Sequence, residues 1–179
     1  MKIAIDLDGV IANTSILMKK VAKEKGIELV FHHYTPQDED GNELGDIIGE
    51  IVHEIFTNRM ISVQPYKDAL LSIPIISTLG NITFLTARRE EYNDATRNWL
   101  NTHFRISYGF ANRPSSQKAQ FVLENGFDCL IEDRLRTANS AAEVGAKVYL
   151  INRHWNMRRE THKNVVRIHS LGQFYALYC

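Results

Sequence analysis

The stretch KIAIDLDGVIANT, residues 2–14, closes an apolar run with two carboxylates, Asp6 and Asp8, placed two positions apart. The apolar residues before them are typical of a buried strand, and side chains two apart on an extended chain point to the same side. Gly9 permits the turn that follows. The stretch therefore predicts a core strand that presents both carboxylates to one site, with a plain strand cap and turn as the alternative.

Four more short apolar runs predict the fold class. They lie at helix-length intervals along the chain: NITFLT at 81–86, RISYGF at 105–110, CLIED at 129–133 and KVYLIN at 147–152. Short runs rich in β-branched and aromatic residues, separated by helical patterns, predict an α/β protein with a doubly wound, mostly parallel sheet. The segment QKAQFVLENG is predicted to be a helix with a serine at its start. The tail is predicted to add one strand and a closing helix.

The connection between the first two runs is much longer than the usual link between neighbouring strands. Residues 15–77 hold two stretches with the apolar spacing of helices, SILMKKVAKEKG and LGDIIGEIVHEIF, joined by a polar segment. We therefore expect an α/β core made of residues 1–14 and 78–179, with residues 15–77 inserted as a small helical cap.

Polar residues follow the other predicted strands. Thr86 ends the second run, Glu132 and Asp133 end the fourth, and Lys118 begins the helix after the third. Because the carboxyl ends of parallel strands share one edge of a sheet, we expect these residues to lie near Asp6. Taken singly, Thr86 is more often a strand residue and a lysine is more often at the surface.

The residue types at this edge suit a phosphate and a cation. The Thr86 hydroxyl and the nearby backbone amides can donate to phosphate oxygens, and Lys118 adds a positive charge. Four carboxylates on one edge repel one another unless a cation lies between them. Ligation by oxygen atoms alone suits Mg²⁺.

The ordered set Asp6-Leu7-Asp8-Gly9-Val10, Thr86, Lys118 and Glu132-Asp133 resembles the four motifs of the haloacid dehalogenase superfamily of phosphohydrolases. The resemblance spans residue 1 to about residue 153. It implies the strand order 5-4-1-2-3, with the first strand central and a cap inserted after it.

The same resemblance implies a role for each residue of the motifs. Asp6 would attack phosphorus and form an aspartyl-phosphate, and Asp8 would protonate the leaving group and later activate water. Mg²⁺ would be held by Asp6, the backbone carbonyl of Asp8 and Asp133, with Glu132 as a further ligand or an outer partner. The phosphoryl oxygens would be held by three residues: Thr86, Ala87 and Lys118.

A finer resemblance concerns the substrate. The early helical insertion, FLTAR at 84–88 with its following helix, and IEDR at 131–134 resemble the 5′(3′)-deoxyribonucleotidase and 5′-nucleotidase type C group. This implies a phosphorylated small-molecule substrate, a nucleoside monophosphate, with Arg88 contacting it or forming a surface salt bridge. Candidates for a ring-stacking wall, or else for cap core and surface, are Phe31, His32, His33, Tyr34 and Phe56.

Other functions stay open from the sequence. One is hydrolysis of another small phosphate ester, and another is hydrolysis of the 3′-phosphate end of a nucleic acid. A third, of a different class, is a binding or regulatory protein for phosphometabolites that does not catalyse turnover. This last role is disfavoured because a binding protein needs neither nucleophile nor acid, and the full set is present: Asp6, Asp8, Thr86, Lys118 and Asp133.

The amino-acid composition limits the classes of partner that we expect the protein to bind. Lys plus Arg number 21 and Asp plus Glu number 21, so no global charge draws the protein to nucleic acid or to an acidic membrane. The basic segment 152–167 is interpreted as a solvated face. The sequence has two cysteines, too few for a disulfide framework, and Cys129 is expected in the core. No apolar run reaches membrane-spanning length. We expect a cytoplasmic protein; self-association into a homodimer stays open.

Overall fold

A parallel sheet of six strands lies at the centre of the residues that the computed structural model describes, which are 1–30, 45–157 and 159–179. The strands are β1 (Lys2–Ile5), β2 (Asn81–Thr86), β3 (Gly109–Asn112), β4 (Cys129–Glu132), β5 (Val148–Ile151) and β6 (Val165–Ile168). Their order is β3-β2-β1-β4-β5-β6, and every neighbouring pair is parallel. This confirms the predicted doubly wound α/β fold and the order 5-4-1-2-3, with the tail strand added beside β5.

Helices connect the strands and cover both faces of the sheet. They are α1 (Thr14–Glu24), α2 (Gly45–Asn58), α3 (Lys67–Ile76), α4 (Asn93–His103), α5 (Lys118–Glu124), α6 (Leu135–Glu143) and α7 (Leu171–Ala176), with short 3-10 turns at Met60–Ser62 and Glu90–Tyr92. In the described part of the chain, none of these helices has the length and apolar character needed to cross a membrane.

The strands are apolar on both faces, as a sheet covered on two sides requires. Ile5 and Phe84 belong to a buried cluster shared with α3, α4 and α7, whereas Ala4 and Leu85 belong to a second cluster shared with α5 and α6. Neighbouring residues of β1 and β2 thus face opposite layers of helices. Cys129 is fully buried in the first cluster, which confirms its predicted place in the core.

Two predicted details are wrong. The third strand begins at Gly109 rather than at residue 105, since pairing with β2 starts where Gly109 lies opposite Thr83. A side chain at 109 would press on the Thr83 hydroxyl, at 2.7 Å from its Oγ, so only glycine fits this close approach. No serine caps α5: its first turn follows Gln117 without a side-chain bond, and the Ser115 hydroxyl instead accepts a hydrogen bond from Arg134.

The segment between β1 and β2 places helices over the carboxyl edge of the sheet. α1 packs against α2, and α2 also contacts α4. Helix α3, which completes the segment, packs against α7. The cap boundaries at 15 and 77 stay a prediction, and the polar segment that joins the two predicted cap helices lies largely outside the described residues.

The burial of β2 gives a test of this core. Phe84 is fully buried and its ring lies 6.0 Å from that of Phe104 and 5.2 Å from that of Tyr108. We expect Phe84→Ala to lower the free energy of unfolding by about 3–5 kcal/mol in urea titrations, because it removes apolar contacts and leaves a cavity. Leu71→Ala on α3, where the side chain is 72% exposed, should change it by less than about 0.5 kcal/mol. Equal losses would contradict the assignment of the core.

Candidate active site

The loop after β1 brings Asp6 and Asp8 into one cavity. The Asp6 amide continues the pairing with β4 by donating to the Ile131 carbonyl at 3.0 Å, and the chain then turns. The turn is closed by the Leu7 carbonyl, which accepts hydrogen bonds from three amides farther along the loop. Both carboxylates line a cavity of about 420 Å³ under α1 and α2. Asp6 is buried, whereas the Asp8 side chain is 31% exposed.

Three carboxylates gather around the Lys118 ammonium. Its Nζ lies 2.5 Å from Asp6 Oδ1 and 3.2 Å from Glu132 Oε2, and all three side chains are buried. One oxygen from each of Asp6, Glu132 and Asp133 lies within 4.8 Å of the other two. The structure therefore brings together residues from the ends of β1 and β4 and from the start of α5, as the sequence predicts.

Burial perturbs the ionisation of this cluster. Burial, together with the nearby Glu132 carboxylate, raises the pKa of Asp6 to about 8, although Lys118 acts in the opposite direction. Burial and the same neighbour also raise the pKa of Asp133 well above its usual value. Burial disfavours the charge on Lys118, but the Asp6 and Glu132 carboxylates outweigh it and hold the lysine pKa above its ordinary range.

The charges of the cluster do not cancel. With all three carboxylates ionised, the cluster and its one ammonium would carry an excess of two negative charges in a buried space. Such an excess is costly at low dielectric unless a cation is present. The Asp133 Oδ1 atom is buried and has no hydrogen-bond partner among the described residues. The donor set thus fits a divalent cation that prefers oxygen ligands.

The two acidic residues at the end of β4 are held differently. Glu132 Oε1 accepts from the amides of Asp133 and Arg134 at 3.2 and 3.0 Å, while its Oε2 accepts from Lys118. Within the described part of the chain, the Asp133 carboxylate accepts through Oδ2 alone, from the Trp155 indole at 2.9 Å. This arrangement favours Asp133 over Glu132 as a direct ligand.

Gly9 makes room for Asp133. Its backbone has a φ of +83°, and a Cβ at this position would collide with the Asp133 carboxylate. Both the turn and the close approach of β4 therefore need glycine here.

The Asp8 carboxylate forms an ion pair with Arg88 rather than with Lys118. The Arg88 guanidinium donates from Nη2 to Asp8 Oδ1 at 2.7 Å and from Nε to Asp8 Oδ2 at 2.9 Å. The Arg88 amide donates to the Thr86 hydroxyl at 3.2 Å, and Thr86 is fully buried. Ala87 is exposed and lines the cavity beside them. Of the predicted phosphate-binding residues, Ala87 and Lys118 thus line the cavity with the two aspartates and Thr86 lies behind it against the Arg88 amide, and their roles stay predictions.

The roof of the cavity is apolar. α1 and α2 contribute Met18, Ile48, Val52 and Phe56, and Tyr92 closes the side. Of the predicted stacking residues, Phe56 therefore lies in the wall. The other four, residues 31–34, lie outside the described residues.

The sequence missed the residues that hold the loop in place. Arg153, assigned to a solvated basic face, donates from Nε to the Gly9 carbonyl at 2.6 Å and stacks on Tyr66 at 3.9 Å. Asn156 is buried and donates to the Asp133 and Ile151 carbonyls at 2.7 and 2.9 Å. These contacts satisfy carbonyls that the turn leaves without partners, a need that no sequence motif records.

No family model matches the sequence, and no curated protein matches it. Solved structures do match. A haloacid dehalogenase-like hydrolase from Streptococcus pneumoniae has a TM-score of 0.64 at 16% identity, over 99% of this chain and 98% of that chain. A HAD family hydrolase from Deinococcus radiodurans, with bound phosphate and sodium, has a TM-score of 0.63 at 14% identity, over 99% and 94%.

A third match is CbbY from Rhodobacter sphaeroides in complex with phosphate, with a TM-score of 0.62 at 13% identity, over 97% of this chain and 95% of that chain. At these identities the likeness establishes the fold. The chain has the fold of haloacid dehalogenase-like hydrolases, as the motifs predict. None of the three is described as a nucleotidase.

We expect Mg²⁺ to raise the thermal unfolding midpoint, and to do so more at about pH 8 than at about pH 5.5. The pKa of Asp6 is higher in the folded protein than in the unfolded chain, so without a cation this group lowers stability as pH rises from about 4 to about 8. A cation that binds the ionised carboxylates of the folded state offsets that loss. Scanning calorimetry with and without MgCl₂ measures the shift.

Asp133→Asn should remove most of the Mg²⁺-dependent shift, whereas Asp94→Asn, an exposed position on α4, should keep it. An undiminished shift in Asp133→Asn would rule out this cluster as the cation site.

Gly9→Ala should cost more stability than Gly26→Ala. Both glycines have a positive φ, +83° and +78°, but a Cβ at Gly26 has nothing within 4 Å. Backbone strain alone should lower the free energy of unfolding by about 1–2 kcal/mol in Gly26→Ala. The added collision with Asp133 should bring the loss in Gly9→Ala to about 3 kcal/mol or more, and should also abolish the response to Mg²⁺. Urea titrations decide, and equal losses would refute the role given to Gly9.

Proposed function

We propose that the protein is a Mg²⁺-dependent phosphomonoester hydrolase that works through an aspartyl-phosphate on Asp6. The observation that carries this proposal is the burial of Asp6 against Lys118, Glu132 and Asp133, with Asp8 in the same cavity. The shared fold with haloacid dehalogenase-like hydrolases supports it, as does the bound phosphate of two of the matched structures.

The first chemical step is a displacement at phosphorus. A carboxylate oxygen of Asp6 forms a bond to phosphorus while the bond from phosphorus to the ester oxygen breaks. Asp8 gives its proton to the departing oxygen, so the leaving group departs as an alcohol. The Lys118 ammonium and the donors near Thr86 and Ala87 hold the phosphoryl oxygens during the transfer.

The second step reverses the roles. Asp8, now a carboxylate, takes a proton from a water molecule that attacks the phosphorus of the aspartyl-phosphate. The bond between phosphorus and Asp6 breaks, inorganic phosphate leaves, and both aspartates return to their first states. Asp6, the Asp8 carbonyl and Asp133 would hold the Mg²⁺, which supplies positive charge between nucleophile and phosphate and favours the ionised form of Asp6.

We propose a nucleoside monophosphate as the substrate class. The cavity joins a charged floor to an apolar roof of four side chains from α1 and α2, Met18, Ile48, Val52 and Phe56. A phosphate would bind the floor, and an apolar or aromatic leaving group would bury its surface against the roof. A nucleoside base offers a ring face to these apolar side chains, whereas a small sugar would bury little apolar surface against them.

Asp6→Asn should abolish phosphate release from p-nitrophenyl phosphate, by at least about 10³-fold in kcat, because an amide oxygen is a far weaker nucleophile. Removal of Mg²⁺ by a chelator should have a similar effect on the parent protein. Asp94→Asn on exposed α4 is the control and should keep parental activity. Turnover that survives in Asp6→Asn would exclude this nucleophile.

Substrate class is tested separately with nucleoside 5′-monophosphates, sugar phosphates and 3′-phosphorylated oligonucleotides. We expect the highest kcat/KM for the nucleotides. A preference for sugar phosphates would leave the reaction in place and overturn the substrate class.

A further inference from the structure

The Arg88 guanidinium is almost fully committed to protein partners. Two nitrogens bind the Asp8 carboxylate in a bidentate pair, at 2.7 and 2.9 Å. The third, Nη1, donates to the Thr96 hydroxyl at 3.0 Å and contacts Met60 Sδ at 3.6 Å. The side chain is only 2% exposed. Few donors remain for a substrate, so a direct grip on the phosphate does not account for this geometry.

Arg88 is also held from both sides of the cavity. From the core, Thr96 on α4 is fully buried, and the Asn112 side chain donates to the Arg88 carbonyl at 2.6 Å. On the α2 side, the ring of Phe56 lies against the face of the guanidinium, and the Arg88 Cζ atom is 4.3 Å from the ring centroid. Burial and stacking fix the plane of the guanidinium, and a bidentate pair transmits that plane to the carboxylate it binds.

We propose that Arg88 is a positioning residue for Asp8: it fixes the orientation of the carboxyl group that exchanges a proton with the leaving group. The inference rests on the proposed function. Each Asp8 oxygen keeps a second lone pair beyond its bond to Arg88, so one oxygen can still carry the transferred proton toward the cavity. The aspartate is partly exposed on the cavity side and would sample several orientations without this clamp.

In the first step the position and protonation of Asp8 matter only where the leaving group needs a proton, whereas the second step needs Asp8 for every ester. An alkyl ester departs as a strongly basic alkoxide and depends on the acid, whereas a dinitrophenolate is stable as an anion and does not. Loss of orientation at Asp8 should therefore slow alkyl esters selectively. A residue that merely supports the fold would affect both kinds of ester alike.

The test compares nucleoside 5′-monophosphate with 2,4-dinitrophenyl phosphate in Arg88→Gln. We expect kcat/KM for the nucleotide, which reports the steps up to departure of the leaving group, to fall by about 10²-fold or more, and kcat/KM for the dinitrophenyl ester to fall far less. Arg88→Lys keeps the charge but loses the bidentate geometry, so its loss should be intermediate. In an Asp8→Asn background, Arg88→Gln should add little further loss, because the group it positions is already gone.

Arg97→Gln is the matched control. Arg97 also lies on a phenylalanine, with its Cζ 4.3 Å from the Phe110 ring, but outside the cavity. It should leave both esters unchanged. Thr96→Val is a milder variant in case Arg88→Gln folds poorly: it removes only the Nη1 bond and should give a smaller loss with the same preference for the alkyl ester.

Three results would overturn the inference. An equal loss of kcat/KM on the two esters, with a lower kcat on both, in Arg88→Gln and Thr96→Val would mean that Arg88 only supports the fold. A higher KM for both esters at constant kcat would make it a substrate contact. A parent protein that hydrolyses neither ester would overturn the proposed function, and this inference with it. This outcome is seen in the parent protein without any variant, so it is distinct from the first two results.

Discussion

The contact between the Lys118 ammonium and the Asp6 carboxylate is the interaction on which the site depends. It joins the end of the central strand to the start of α5, 112 residues away in sequence. Without it, three buried carboxylates from β1 and β4 would face one another unopposed, and burial in a low dielectric makes such repulsion expensive. Lys118 neutralises one of these charges, and the remaining excess is what gives the cluster its capacity for a divalent cation.

Residues around the carboxylate cluster hold its backbone and side chains in place. Gly9 leaves the space that the Asp133 carboxylate occupies, and the Trp155 indole donates to one of its oxygens, while the other has no partner among the residues that the structure describes. Asn156 holds the backbone of the same aspartate, and Arg153 holds the loop that carries Gly9. These contacts make the geometry of the carboxylates a property of the folded chain, so little reorganisation is needed when charge develops in the cavity.

The two aspartates of the Asp-x-Asp pair form ion pairs with different basic side chains. Asp6 is buried against Lys118, whereas Asp8 is partly exposed and clamped by Arg88. Two carboxyl groups in different environments can take different chemical roles, one as nucleophile and one as acid and base. α2 reaches this second pair through Phe56, so the roof of the cavity and the placement of Asp8 share a contact.

The pattern of the amino-acid sequence was sufficient to predict the parallel sheet and the convergence of Asp6, Lys118 and Asp133, whereas the strand order was predicted from the resemblance of the motifs to a known superfamily. Alternation along a strand and the common edge of parallel strands are regular, so the position of a residue in its run determines where it lies. The start of β3 was placed wrongly because an apolar run does not mark where pairing begins, and the pairing with β2 begins at Gly109, opposite Thr83.

Only the tertiary structure decided the partners of the side chains. The pairs of Arg88 with Asp8 and of Arg153 with Gly9 join residues 80 and 144 positions apart. Each depends on the direction of a long side chain after the helices have packed, which no local pattern encodes.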